Sequence, residues 1–593
     1  MTTKSALLCA VATFAFAGHA FAEQHTGAAE TEGEATETTE MASGDAPTGE
    51  RGRDGEVSIL YWQAPSTMNP FLSGGTKDIE AASLVVEPLA RFDETGTIQP
   101  WLVDEVPTVE NGGISEDLMT ITWVLTEGLT WSDGTPVTSA DVAFTYEYCT
   151  HPEGGCAQGS YFEPVESVET PDERTIVVTF KEPTPYPYTA FVGAESPIIQ
   201  KAQFESCLGA AASTCTDQNF NPIGTGPFVV EEFRTNDVIT LAANPNFRDP
   251  SKPAFATINF KGGGDAEAAG RAVMQTGEFD YAWNLQLAPE VVSQMEAGGQ
   301  GVSVVAFGPL MERIELNHTN PDPALGPDER SVVTPHPFLQ DEAVYKAMSL
   351  AIDRPLLVEI GYGQAGRVTC NYVPAPEAFN STSMTCDTQD LEGAKQMLED
   401  AGWTDENGDG VREKDGVELR VLYQTSTNAV RQDFQALIKE WWEEIGIATE
   451  LRNVNSSVFF GGDAGSPDTF QKFYADVEMY ANTYNGTDPQ AYLANHLCNK
   501  IPSPENQWQG ENIPRFCMEE YDALWAELSR TAEPAERERI GKELNDMFIM
   551  NGGQIPLVHR GRLSAHSNSL GGVKLNVWDS ELWNVADWYR IAE

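Results

Sequence analysis

The amino-acid sequence predicts a mixed α/β fold, and three features carry that expectation. Residues 57–62, 118–125 and 174–180 are rich in β-branched and aromatic side chains with the alternation of strands. Residues 78–90, 266–276, 340–360, 391–401, 430–445, 518–529 and 534–549 carry helical apolar spacing, with Asp265 placed to cap the second of them and Gly277 to end it. Strand-like residues 419–423 and 448–453 flank the helix at 430–445, a β-α-β succession that implies a largely parallel sheet in the second half. A chain of 593 residues, 41% hydrophobic, has room for two or three cores. It holds no repeat of solenoid period and no long linker between halves, so any domain boundary is a chain crossing.

The N-terminus reads as an export signal over residues 1–22. Lys4 supplies the positive charge, residues 6–17 are apolar but for Thr13, and Ala20-Phe21-Ala22 offers a small-x-small cleavage site. The run is too short to span a bilayer. Cys9 lies inside it, where a lipid-bearing cysteine would follow it. Residues 23–56 form an acidic leader of Glu, Thr, Ala and Gly, which cannot bury enough apolar surface to offset its ordering entropy. The expected product is a periplasmic, soluble protein. Its 36 Lys+Arg against 90 Asp+Glu give a net charge of −54, which opposes nucleic acid and anionic membrane surfaces as partners. A saline habitat accounts for that charge without a ligand role.

Eight cysteines follow the signal, in four sequence-local pairs: Cys149 and Cys156, Cys207 and Cys215, Cys370 and Cys386, Cys498 and Cys517. In an oxidising compartment these pairs are expected to close loops as disulfides, although eight cysteines allow 105 connectivities. Zinc would ask for tighter Cys-x-x-Cys pairs with histidines nearby, and none occurs. Neither an HExxH helix nor a GxSxG elbow is present. Gly361-Tyr362-Gly363-Gln364-Ala365-Gly366 matches a dinucleotide fingerprint but follows a helix rather than a strand. The loop from Asp405 to Asp409 alternates oxygen ligands as calcium loops do, yet Gly416 stands where a closing glutamate would be. We read it as a turn, with a structural calcium ion as the alternative, and expect no cofactor and no metal centre.

Several ordered blocks resemble the peptide- and nickel-binding class of ABC-transporter solute-binding proteins, family 5. They are residues 86–93 with Pro100-Trp101-Leu102, residues 129–142, residues 224–228, residues 244–247, residues 347–354, residues 394–403 and residues 442–447. Most read as scaffold: Asp133-Gly134 makes a turn, Ser139 is placed to cap the next helix, and the glycines at 224 and 226 permit a close approach between strand and turn.

The resemblance implies a two-lobed periplasmic binding protein of type II, cluster C-like, with an interlobe cleft and no catalysis. Lobe one would be residues 57–316 with an extra family subdomain, rejoined by residues 558–593; lobe two would be residues 317–557. The crossings at residues 313–318 and 554–559 would be the hinges. A monomer would capture a peptide or related small solute and deliver it to an inner-membrane ABC permease. The alternatives are a non-peptide cargo (a nickel chelate, an opine or a sugar derivative) and, further off, an exported hydrolase. Relatives that bind peptides hold the ligand's ammonium with an Asp; the matching stretch here, Thr483 to Asn485, has no acidic residue. The ligand-binding residues this implies are Trp62, Gln63, Asn69, Tyr281, Trp283, Asn284, Tyr480, Asn482, Tyr484, Asn485 and Asp488, with His496 for a metal-chelate cargo.

Overall fold

The first expected strand forms as Glu56–Tyr61 and lies inside a seven-stranded sheet. Its apolar residues fall on both faces because both are buried: Val57, Ile59 and Tyr61 join one core, Leu60 and the following Trp62 another, while Ser58 bonds Asp280 at 3.0 Å. It pairs in parallel with Thr257–Gly262 and Tyr281–Ala282. Val238–Ala243 and Phe228–Arg234 extend one side antiparallel, and Arg562–Ser567 and Gly301–Ala306 the other. The computed structural model describes residues 49–592 apart from 329, 464 and 485. The expected signal and most of the leader therefore lie outside the described residues. The end of the leader needs correction, because residues 50–56 belong to the folded body. Arg51 donates to the carbonyls of Lys252, Pro245, Phe247 and Asp249, and Gly52 and Asp54 bond the backbone at 253–254.

The β-α-β unit of the second half is present as Arg420–Ser426, helix Ala429–Glu444 and Ala448–Val454, with the strands parallel. Phe434, Ile438 and Trp442 pin that helix to the sheet's core. The six-stranded sheet around it is mixed rather than largely parallel. Val477–Asn482 adds in parallel, but Met311–Leu316, Gln554–Arg560 and Gly366–Val368 are antiparallel to their neighbours. Two of these strands carry the chain to and from the first sheet, and that return path sets their direction. The helix expected over 340–360 is two, Glu342–Leu350 and Arg354–Gly361. Asp353 accepts from the N–H of Leu356 at 3.0 Å, and Pro355 sits in the new first turn, where it needs no N–H partner. A third, three-stranded sheet of Thr120–Val124, Thr175–Phe180 and Val165–Glu169 packs with helix Ser139–Thr150. The cap of that helix is Thr138 in a capping box with Asp141; Ser139 instead donates to the carbonyl of Asp172 at 2.5 Å.

The chain crosses between the two large sheets at residues 307–310 and at the single residue Gly561. The expected hinges at 313–318 and 554–559 fall mainly within paired strands of the second sheet, and a strand held on both sides cannot bend freely. By sheet membership, residues 311–316 and 558–560 go with the second half. Both crossings contain a glycine with no room for a side chain: a Cβ on Gly308 would lie 2.5 Å from that of Val577, and one on Gly561 2.7 Å from Val305 Cγ1.

The four cysteine pairs 149–156, 207–215, 370–386 and 498–517 are bonded. A thiol titration of the unfolded, unreduced protein should find no free thiol in a chain starting at Glu23, and only Cys9 in an uncleaved one. Reduction should lower stability by roughly 2–4 kcal/mol per loop closed. The close approach expected at Gly224 and Gly226 is present: a Cβ on Gly224 would stand 1.8 Å from the carbonyl oxygen of Val85, and one on Gly226 2.7 Å from that of Leu84. Gly224→Ala is therefore expected to destabilise the fold by about 3 kcal/mol or more, read as a lower urea midpoint. Gly159→Ala, where nothing lies within 4 Å, is the control and should leave the midpoint unmoved.

Candidate ligand-binding cleft

The strand Val477–Asn482 brings Tyr480 and Asn482 to a wall shared by two adjoining pockets, each lined by residues that pack around both large sheets. Each leaves about 60–70 Å³ of room for the centre of a water molecule, enough for several waters or small ligand groups. Phe470 and Tyr480, 5.2 Å apart, supply the apolar part of that wall.

The first pocket is basic. Lys77, Arg431, Arg560 and Arg562 line it, against one carboxylate, Glu581. All four cations are buried, and each has an acid nearby. Lys77 meets Asp78 at 2.8 Å, Arg431 meets Glu312 at 2.6 Å with Arg560 at 3.6 Å, and Arg562 binds Glu80 with Glu581 at 3.5 Å. Burial alone would push the Glu312 carboxyl up, but Arg431 and Arg560 hold it below the usual carboxylate range. Burial wins at Glu80, whose carboxyl rises to about 7 although it faces Arg562.

The second pocket is acidic. Glu195, Glu315 and Glu511 line it, against Arg313. Burial, then the neighbouring Glu511 and Asp579, push Glu195 up to about 8, and burial pushes Glu511 up to about 7. Arg313 donates to Glu315 at 2.7 Å and lies 4.5 Å over the Tyr480 ring. Several polar atoms of this pocket are buried without a hydrogen-bond partner: Arg313 Nη1, Thr483 Oγ1, Asn495 Oδ1, Glu511 Oε2 and both ring nitrogens of His496. Native interiors leave few such atoms, and several gather among the residues of this one pocket. His496 stacks 3.7 Å from Phe548, and burial, then Arg313, lowers its imidazole well below the usual range, so it is neutral.

Gln63, Trp283 and Asn284 line the first pocket, Tyr484 the second, and Tyr480 and Asn482 both. Trp283 stacks on Tyr61 with 4.5 Å between centroids, and its indole N–H has no partner. Asn284 steadies Arg560. The remaining expected residues are placed elsewhere. Asn69 caps the turn at Pro70–Leu72 and bonds Tyr148 and Asn219. Tyr281 is core, donating to Glu581 at 2.6 Å from beneath the pocket. Asp488 is held by Arg537 at 2.7 Å and lines neither pocket. Trp62 donates to the carbonyl of Asn284 at 2.8 Å and faces a different crevice. Asn485 lies outside the described residues. In the 405–410 loop, Asp405, Asn407 and Asp409 accept the N–H groups of residues 408–411, as a self-bonded turn does. Among the described residues no cluster of three metal-ligating side chains occurs, and no helix is long and apolar enough to cross a membrane.

The family model of bacterial extracellular solute-binding proteins, family 5, matches residues 97–502. The chain belongs to this family. As a family 5 protein it is 22% identical over 520 residues to the glutathione-binding protein GsiB of Escherichia coli K12, covering 87% of this chain and 91% of that one. It shares its fold with the oligopeptide-binding protein AppA of Bacillus subtilis, solved with a nonapeptide (TM-score 0.77, 20% identity, 92% of this chain and all of that one). NikZ of Campylobacter jejuni, solved with Ni(L-His), is similar (TM-score 0.75, 21% identity, 91% of this chain and all of that one). The expected two-lobed α/β architecture is thus that of its family. The proteins it resembles are binding proteins.

Proposed function

We infer that this family 5 protein is the periplasmic substrate-binding component of an ABC importer, and that its ligand is a short zwitterionic peptide or related small solute. The separation of charge across the wall at Tyr480 and Asn482 carries the ligand class. A ligand carboxylate at Lys77, Arg431, Arg560 and Arg562 would meet positive charge, and a ligand ammonium at Glu195 and Glu511 would draw those raised carboxyls into their ionised form, in a cleft of low dielectric. The peptide-bound and glutathione-binding relatives support the same class. Closure turns on the crossings at 307–310 and Gly561, and the closed monomer docks on its permease. Export uses the N-terminal signal, so sequencing of the periplasmic protein should begin at Glu23.

Calorimetric titration with glutathione and with free, N-acetylated and C-amidated dipeptides tests the ligand class. Blocking either end should weaken binding by at least about tenfold. Equal affinity for free and blocked dipeptides, or binding of sugars alone, would sink it. A nickel–histidine chelate is the second reading, favoured by the neutral, unpartnered imidazole of His496. It requires that nickel with L-histidine bind and that His496→Ala abolish that binding.

A further inference from the structure

The strands Glu56–Tyr61 and Arg420–Ser426 both run toward a crevice that the cleft described above does not use. It offers about 460 Å³, with walls from residues 62, 264–267, 286–288 and 291 on one side and 360–361, 427–430 and 432–434 on the other. The outer end of parallel strands is where open α/β sheets hold their ligands. Helices Ala266–Met274 and Ala429–Glu444 begin here, capped by Asp265 and Asn428. Helix starts alone would not make a site.

What sets this crevice apart is a pair of buried amides, each with one atom unpartnered. Asn428, 4% exposed, uses Oδ1 to accept the N–H of Arg431 at 3.0 Å, and its Nδ2 has no partner. Gln286, 1% exposed, donates from Nε2 to Tyr362 at 2.7 Å and to Glu312 at 3.2 Å, and its Oε1 has no partner. The bonded atoms fix which end of each amide is nitrogen, so one donor on Asn428 and one acceptor on Gln286 are left without partners in two side chains that line the crevice. An amide group, with its own C=O and N–H, complements that pair. Trp62, Leu287, Val291 and Phe434 give an apolar lining. The charged residues that line it, Asp265, Glu267 and Asp433, are all acidic, with no lysine, arginine or histidine among the described lining residues.

We propose that this crevice is a second ligand site, for a small organic cation bearing an amide and an apolar side chain, whose occupant bridges the two lobes. L-Phenylalanine amide has those groups and lacks the carboxylate that the basic pocket is inferred to hold. By calorimetry it should bind the full-length protein, and bind undiminished when a saturating dipeptide is present. Its affinity should fall about tenfold in Asn428→Ser, which keeps a helix cap but removes the Nδ2 donor, and in Val291→Trp, which fills the crevice. Unchanged circular dichroism and thermal unfolding show that the variants are folded, and the amide titration reads the crevice whatever ligand the main cleft takes. No binding at about 10 mM, competition with the dipeptide, or unchanged affinity in either folded variant would overturn the proposal.

Discussion

Replacing Glu312 with glutamine is expected to cost the protein about 3–5 kcal/mol, measured as a fall in the urea midpoint at constant slope. Glu312 is fully buried on the strand Met311–Leu316 and accepts from Arg431 at 2.6 Å, Tyr362 at 2.9 Å and Gln286 at 3.2 Å, with Arg560 at 3.6 Å. Two guanidinium groups in this low-dielectric site depend on one carboxylate. The amide keeps the shape and removes the charge, so both cations stay buried without compensation. Because the pair was desolvated before it was broken, the loss exceeds that of a surface ion pair several-fold. The surface pair of Arg271 and Glu267 offers the contrast, and Glu267→Gln should shift the midpoint by less than about 1 kcal/mol. A loss of that small size at Glu312 would mean that the network is not a structural hub.

The second large effect is on binding, and it depends on pH. Glu195 and Glu511 are raised by burial to about 8 and about 7, so the empty pocket sheds two protons between about pH 6 and pH 9. Glu195 faces Tyr161, Glu511, Asp579 and Arg562; Glu511 faces Ser160, Lys500 and Glu163. An ammonium prefers the ionised carboxylates, so a free dipeptide should bind at least tenfold more tightly at about pH 7.5 than at about pH 5.5. Above about pH 8 the ligand's own amine loses its proton and the gain reverses. Glu511→Gln should flatten the rising limb and weaken binding by about 30-fold or more at about pH 7.5. An N-acetylated dipeptide should show no rising limb at all. A flat profile with the free dipeptide would count against Glu195 and Glu511 as its partners. The same groups act oppositely on stability. Their folded values lie above the unfolded ones, so the folded, empty protein holds more protons than the unfolded chain. Their contribution to stability is therefore full only below the ordinary carboxyl value of 4.5, is lost progressively as pH rises above it, and is gone once pH has passed about 7 to 8.

Much of the scaffold was legible in the sequence, because scaffold is written in local patterns. Period and capping placed the helices at 266–274, 391–400 and 534–550 almost to the residue. The broken helix at 350–354 was missed because apolar spacing continues across it, while Asp353 and Pro355 carried the signal to restart. The cleft was legible only in part. Aromatics after strands were readable as cleft candidates, yet Tyr281 and Asn69 serve the core, since neighbouring side chains and not residue type decide which way a ring or amide turns. The acidic end was invisible. The stretch at 483–485 carries no acid, whereas Glu195 and Glu511 reach one pocket from positions 316 residues apart, a juxtaposition that no spacing rule encodes.

The crossing at Gly561 has a mechanical consequence. Arg560 and Arg562 stand on either side of it, the first tied to Glu312 on the second sheet and the second to Glu80 and Glu581 of the first lobe. A change of torsion at this one glycine would therefore move Arg562, tied to Glu80 and Glu581, against an Arg560 that Asn284 beside the first sheet and Glu312 on the second hold between them. On the function proposed above, a ligand carboxylate held between the two arginines would feel the interlobe angle, so the contact that recognises the ligand would also register closure.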